Sequence, residues 1–321
     1  MLAFQIKDTS SVPELATLDQ PAPAAGEVLV KIHACGLNFA DLLMAKGKYQ
    51  DMPNLPATLG LEAAGEVIGL GEGVTEFAAG DRVAVCAGSG GLAEYGAFPA
   101  SRCIPMPSEM TYEEAAGFQI AYGTSHLAMT FCTQVTKQDT VLITGAAGGV
   151  GLTAVQIASQ LGARVIAVAR GEDKLTIARE AGADITLDAS TADLGAKLKE
   201  LGGADVVYDT VGGKLFDPVF RACKVGGRFL VIGFAGGEVP QVPANILLVK
   251  NIQMIGLYWG GYRKLNPKAL NDSLAELMRW YSEGRIKPPV GHTFPLEKTA
   301  EGLELMRSRQ STGKIVITMP E

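Results

Sequence analysis

Eight residues restrict this chain more than any others: Thr144-Gly-Ala-Ala-Gly-Gly-Val-Gly151. They follow the apolar run Val141–Thr144. They open a segment in which Val150, Ala154, Ile157 and Leu161 recur at helical spacing, with Gly162 as the stop. A strand that passes into a helix through glycines is the opening unit of a βαβ fold. The alternation continues downstream. Arg164–Ala169 reads as a strand, followed by a helix through Leu175 and Ala178 to Gly182. Ile185–Leu187 reads as a strand ahead of a helix through Leu194, Leu198 and Leu201. Asp205–Asp209, Arg228–Gly233 and Ile252–Leu257 supply three more strands. Six strands with mostly helical crossovers predict an α/β fold with a parallel, doubly wound sheet.

The chain has 321 residues, more than the ~250–300 that one hydrophobic core serves, so a second domain is expected. Its first third is β-rich. In Glu27–Ala34, residues Val28, Val30, Ile32 and Ala34 share one face. Glu62–Gly69, Arg82–Val85 and Ala93–Phe98 read as further short strands, and a short helix runs from near Asn38 to Gly47. Short strands punctuated by Gly and Pro predict a small barrel or sandwich. Beyond the sixth sheet strand, Pro267 opens a helix with Leu270, Leu274, Leu277 and Tyr281 inward, and Gly284 ends it. A second helix covers residues 297–307, and the last strand, Lys314–Thr318, is expected to rejoin the N-terminal β domain.

Composition removes several classes of function. A net charge of −6 argues against a general nucleic-acid binder. The five cysteines (Cys35, Cys86, Cys103, Cys132, Cys223) are odd in number and scattered, so no disulfide framework is read and a reducing, cytoplasmic setting is expected. The opening stretch MLAFQIKDTSSVPE has no basic segment followed by an apolar run, so no signal peptide is read. Thr140–Ala163 is uncharged over more than the ~20 residues a membrane helix needs. Its glycines and its polar Gln156, Ser159 and Gln160 fit a strand, a turn and a buried helix better, so no membrane span is expected. Of the three histidines, His33 falls in a strand, His126 in a helix and His292 in a loop, and none reads as a metal ligand.

The glycine turn has the form Ala146-x-Gly148-x-x-Gly151, a dinucleotide fingerprint with alanine in its first glycine position. Gly148 lets the backbone approach a pyrophosphate, and Gly151 lets the helix pack closely on the sheet. Ala147, Gly148, Gly149 and Val150 are the expected phosphate neighbours, because a helix start offers N–H donors and partial positive charge. The end of the second strand reports which cofactor is held. An NAD site wants an acid there for the ribose hydroxyl. This chain reads Val168-Ala-Arg170-Gly-Glu172-Asp-Lys174, and the cations Arg170 and Lys174 suit the 2′-phosphate of NADPH. Glu172 and Asp173 stand close by, where a helix start also favours acids.

Further motifs carry a family resemblance. Gly36-Leu-Asn-Phe-Ala-Asp41, Gly60-Leu-Glu-Ala-Ala-Gly65, Gly80-Asp-Arg-Val83, Gly91-Leu-Ala-Glu-Tyr95 and Gly145-Ala-Ala-Gly-Gly-Val-Gly151 occur in this order. Together they resemble the zinc-free quinone oxidoreductase (zeta-crystallin-like) branch of the medium-chain dehydrogenase/reductase superfamily, over nearly the whole chain. The resemblance implies a GroES-like catalytic domain from residues 1–121 and 262–321, and a Rossmann domain from residues 122–261. The superfamily's zinc-dependent alcohol dehydrogenases carry a cysteine where this chain has Asn38, and Gly-His-Glu where it has Gly60-Leu61-Glu62. Their clustered structural-zinc cysteines are missing as well. Asn is a poor zinc ligand and Leu is none, so no metal is expected.

The implied activity is NADPH-dependent hydride transfer to a quinone, which is electrophilic without a Lewis acid. The superfamily also contains enoyl and alkenal reductases that act on activated C=C bonds. Zeta-crystallin-like proteins can also serve as NADPH-binding structural proteins. By resemblance, Asn38, Asp41 and Tyr49 line the substrate site, with Asn38 and Tyr49 as donors to the substrate oxygen and Asp41 in support. An Asn followed three residues later by an Asp at a helix start is equally a capping arrangement. The resemblance also puts Gln119, Tyr122 and Thr124 near the nicotinamide, with Gly233 and Phe234 on the same side, and it matches Arg309 to a phosphate-reaching arginine. Ala189 departs from the pattern, since some NADPH-binding relatives place a tyrosine near there. Tyr258-Trp-Gly-Gly-Tyr262-Arg263 reads as a substrate mouth or as an ordinary connecting loop. A homodimer joined through the sheet edge at Ile252–Leu257 is implied.

Overall fold

Strand Thr140–Thr144 is buried along its whole length, as an unbroken apolar strand covered on both faces must be. In the computed structural model, which describes residues 1–320, it lies inside a six-stranded parallel sheet. The strand order is Ile185–Asp188, Arg164–Ala169, Thr140–Thr144, Ala204–Asp209, Cys223–Val231 and Gln253–Gly256. This is the doubly wound order, and its direction reverses between Thr140–Thr144 and Ala204–Asp209. All six expected strands are present, with ends shifted by a few residues.

Two devices hold that reversal point together. Helix Gly149–Gln160 leaves the turn so close to the preceding strand that a Cβ on Gly151 would stand 2.1 Å from the Gly145 carbonyl oxygen. Across the sheet, Thr144 Oγ1 donates to Asp209 Oδ1 at 2.5 Å, and Thr210 Oγ1 donates to Thr144 O at 2.8 Å. Asp209 also accepts the N–H groups of Val211 and Gly212. Phe216, Phe220 and Phe229 fill one side of the sheet with their ring centroids 5.1–5.6 Å apart.

The chain divides into two units, Ala121–Lys287 around this sheet, and Met1–Ile120 with the residues from Pro288 onward. The first boundary falls inside helix Gln119–His126, next to the expected 121/122. The return lies at 287/288 rather than 261/262, because helix Pro267–Ser282 belongs to the sheet's unit. It buries Leu270, Leu274, Leu277 and Trp280, and Ser273 Oγ lies 2.8 Å from His126 Nδ1. Trp280 takes the inward place expected for Tyr281 and meets the His126 ring edge-on.

The other unit is built on Glu27–Gly36. Along one edge it pairs with Glu62–Leu70, which continues to Arg82–Val85 and Cys103–Pro105. Its other edge is shared by Tyr95–Pro99 along the first half and Lys314–Thr318 along the second. Val290–Pro295 completes this sheet beyond Lys314–Thr318, so His292 lies in a strand and not in a loop. A second, three-stranded sheet joins Leu2–Ile6 to Glu14–Thr17 and Ala57–Thr58. Val28, Val30, Ile32 and Ala34 are buried as their alternation requires.

The crossing at Gly151 yields a prediction. Gly151→Ala forces its Cβ against backbone that has no side chain to swing aside, so we expect a loss of about 1–3 kcal/mol, the usual cost of overpacking. Urea denaturation checks this, and a midpoint equal to wild type would show that the helix can move away at no cost.

Candidate functional site

The glycine turn uses part of its own hydrogen-bonding capacity. The N–H of Ala146 donates to Val168 O at 3.1 Å, and that of Gly148 donates to Gly145 O at 2.9 Å. Gly148 is therefore not an available phosphate donor. The first N–H groups of helix Gly149–Gln160, at Gly149, Val150 and Gly151, have no carbonyl one turn back to bond. A Cβ at Gly148 would meet only Gly145 O, at an ordinary 3.4 Å. The fold itself does not require glycine there, so the bare backbone leaves room for something outside the chain. This is how the turn fits a dinucleotide pyrophosphate.

Arg170 is exposed just beyond strand Arg164–Ala169, and Lys174 is half-buried on helix Glu172–Glu180. Burial, with the neighbouring Arg170 cation, lowers the Lys174 ammonium below its ordinary range. Glu172, which stood as a competitor for these cations, is engaged by Arg179 at 2.6 Å. Asp188, at the end of the next strand, accepts the Ser190 hydroxyl and N–H and the Gly171 N–H, which hold its carboxyl below the usual range. Gly233 and Phe234 follow strand Cys223–Val231, and the Phe234 ring lies against Gly212 in the turn after Asp209. The glycine turn and these two residues thus share the carboxyl edge of the sheet. Thr124 and Tyr122 are buried in helix Gln119–His126, with the Tyr122 hydroxyl donating to Gln156 at 2.6 Å. Of the aromatic segment, Trp259 is buried with Arg263 over its ring, while Tyr258 is partly exposed.

In the other unit, Asn38 and Asp41 lie together at the start of helix Phe39–Met44. The Asn38 N–H donates to Asp41 Oδ2 at 2.8 Å, and the Gly60 N–H donates to Asp41 Oδ1 at 3.2 Å. Asp41 is wholly buried, and burial pushes its carboxyl up to about 7 against those two N–H groups and the Lys314 charge. Both hydrogens of the Asn38 amide are spent, on Glu62 Oε1 at 2.9 Å and Gly36 O at 3.2 Å. Tyr49 is half-buried beyond the helix and packs against the core of this unit. Arg309 is exposed, and it ends helix Thr299–Arg307 with φ at 59°, the left-handed region that favours glycine.

The sequence reading did not single out Glu62 and Lys314, which are the centre of this cluster. The available signals were a lysine leading the apolar strand Lys314–Thr318 and a glutamate opening Glu62–Leu70. Among the described residues, no three His, Cys, Asp or Glu side chains gather as a metal-holding group, and no helix is long and apolar enough to cross a membrane.

Comparison with known proteins agrees with this architecture. Residues 24–108 match the alcohol dehydrogenase GroES-like domain, and residues 149–280 match the zinc-binding dehydrogenase family. The chain is 40% identical to a quinone oxidoreductase-like protein 2 homolog of Nematostella vectensis, over 91% of this chain and 81% of that protein. A mycobacterial structure complexed with NADPH superposes with a TM-score of 0.92 at 30% identity, over 99% of this chain and all of that one. Escherichia coli quinone oxidoreductase, also complexed with NADPH, gives 0.91 at 28% identity over 99% of each chain.

Asp41 gives this site a pH signature. Its carboxyl holds a proton more tightly in the folded chain (about 7) than at its ordinary value of 3.8. The folded state therefore carries the extra proton across that window, and the group's contribution to stability falls as pH rises through it. Asp41→Asn should make the slope of unfolding free energy against pH less negative between those values, as read by urea titrations across the range. An unchanged slope would mean that Asp41 does not titrate there.

Proposed function

Since this chain belongs to the quinone oxidoreductase-like branch of the medium-chain dehydrogenase/reductase superfamily, a family of oxidoreductases, we propose that it reduces quinones at the expense of NADPH. The observation that carries the quinone reading is the chemistry around Asn38. Asn38 stands where zinc dehydrogenases hold a cysteine ligand, Leu61 stands where they hold a histidine, and the Asn38 amide is fully engaged by Gly36, Glu62 and Lys314. A site with this donor set suits an acceptor that takes hydride without Lewis-acid help, and a quinone does so because reduction restores aromaticity.

When bound, the nicotinamide supplies the hydride. The chain's own part is to hold and orient. The free N–H groups at the start of helix Gly149–Gln160, with Ala147 and the bare backbone at Gly148, suit the pyrophosphate. Arg170 and Lys174 suit the 2′-phosphate, and Arg309 a phosphate contact. Thr124, Gly233 and Phe234 are proposed neighbours of the nicotinamide. Tyr49 is proposed to hydrogen-bond the substrate oxygen as negative charge develops on it. Asn38 and Asp41 support the helix that leads to Tyr49.

Two further proposals concern the setting. Strand Gln253–Gly256 is an open sheet edge, and nearby Leu248 and Val249 expose about three-quarters of their surface, which favours a homodimer formed along that edge. Four of the five free cysteines are buried thiols, in keeping with a reducing cytoplasmic compartment.

A substrate panel with NADPH tests the function. Simple quinones should be turned over faster than enones and enoyl thioesters. Turnover of enones without quinones would replace this assignment by an alkene reductase, and tight NADPH binding without any turnover would replace it by a structural role. For the cofactor, Arg170→Ala should raise the NADPH Kd by about tenfold or more, since a charged contact to phosphate is lost, and leave NADH within about twofold. Equal losses for both cofactors would show that Arg170 does not contact the 2′-phosphate.

A further inference from the structure

Lys314 is 4% exposed and Glu62 is 1% exposed, so a full ion pair is buried in the first unit. An ammonium is tolerated in such a place only if its hydrogens are all bonded. They are: Lys314 Nζ donates to Leu37 O at 2.8 Å, to Asn38 Oδ1 at 2.9 Å and to Glu62 Oε1 at 2.8 Å. Glu62 accepts in turn from Lys314 and Asn38 Nδ2 on Oε1, and from the Ile120 N–H on Oε2 at 3.0 Å. Gly36 leaves room for this, since a Cβ there would stand 2.3 Å from Ala116 O and 3.1 Å from Glu62 Oε1.

Asn38 bridges the two charges. Lysine offers only donors and a carboxylate only acceptors, so the amide can face them in one orientation, Oδ1 to Lys314 and Nδ2 to Glu62. Apolar residues of similar volume would fill the space without a desolvation cost and commonly match or exceed a buried ion pair in stability. They would not fix the direction of an amide, and that is what this pair does.

We propose that Glu62 and Lys314 are positioning residues for the reduction, locking the Asn38 amide in one orientation and withholding both its hydrogens from the substrate. Asn38 then acts by anchoring helix Phe39–Met44, through its N–H to Asp41, and not by donating to the substrate oxygen. The proposal rests on the reading above in that Asn38 and Tyr49 belong to the substrate site.

The single variant Lys314→Met strands a buried carboxylate and is liable to unfold, so the test removes both charges together in Glu62→Gln with Lys314→Met. Two quantities are read. The first is hydrogen exchange of the Asn38 side-chain amide by NMR, in wild type and in the paired variant. Wild type should be protected about a hundredfold relative to a solvent-exposed asparagine, as expected for a buried and fully bonded group, and the paired variant should lose most of that protection. The second is steady-state kinetics. kcat should fall about tenfold while the KM for NADPH stays within about twofold, the mark of lost positioning and not of lost cofactor binding.

An unprotected amide in wild type overturns the proposal without any variant. So does a paired variant whose amide is released while kcat is unchanged, since the lock would then serve packing alone. If wild type turns over no quinone, the functional assignment fails while the exchange measurement still decides whether the amide is locked. The kinetic arm then moves to whichever acceptor the panel identifies.

Discussion

One buried ammonium governs how the first unit closes. Lys314 belongs to the last strand and meets a carboxylate 252 residues earlier in the chain. The strand that carries it is antiparallel to Glu27–Gly36, with Val316 opposite Gly36 and Thr318 opposite Ala34. A ladder of apolar residues tolerates a slip of two, because every side chain keeps its face. This ladder does not, since the slip would bring Thr312 or Val316 to Glu62 and leave a buried carboxylate without its cation. Breaking such a pair costs about 3–5 kcal/mol, a large fraction of a domain's net stability. The pair is a weak source of stability and a strong source of register. The same geometry orients Asn38, so closure of the fold and order at the candidate site have one cause.

The second unit depends on contact distance instead of charge. Its helix starts against the backbone of Gly145, and the absence of a side chain at Gly151 makes that possible. The crossed bonds of Thr144, Asp209 and Thr210 then fix the two strands on either side of the reversal. The helix N–H groups and the glycine backbone consequently face the carboxyl edge of a rigid sheet. Gly148 differs in kind from Gly151: one is demanded by the fold, and the other is left open by it.

Much of this was legible in the sequence. Glu27–Gly36, Arg82–Val85, Arg164–Ala169 and Lys314–Thr318 are all long or strongly patterned runs, and each was read to within two residues. The glycine turn was legible because its residues act on near neighbours. Leu2–Ile6, Glu14–Thr17, Ala57–Thr58, Cys103–Pro105 and Val290–Pro295 were not, being short strands with little alternation. Val290–Pro295 contains both a glycine and a proline, which is why His292 read as loop. Trp280 replaced Tyr281 because a helical face admits spacings of three and four alike, and contact with His126 makes the choice. The site was half legible: Asn38 and Asp41 were visible as a pair, but their partners Glu62 and Lys314 each open a distant strand, and no local pattern joins two residues 252 positions apart.

Under the proposed function, Arg170 and Lys174 are the residues through which the two cofactors would be told apart. Burial first, and the neighbouring Arg170 charge second, lower the Lys174 ammonium below its ordinary range, so both disfavour a second cation at the end of this strand. Glu172, in the first turn of the same helix, is paired with Arg179 at 2.6 Å. Under the proposed function, a 2′-phosphate arriving between the two cations gains its own charge-assisted contacts and also discharges their mutual repulsion. A ribose hydroxyl gains neither. The difference between the cofactors then draws on both cations together, because specificity is a difference in binding free energies and only the 2′-phosphate offers them a charge to bind.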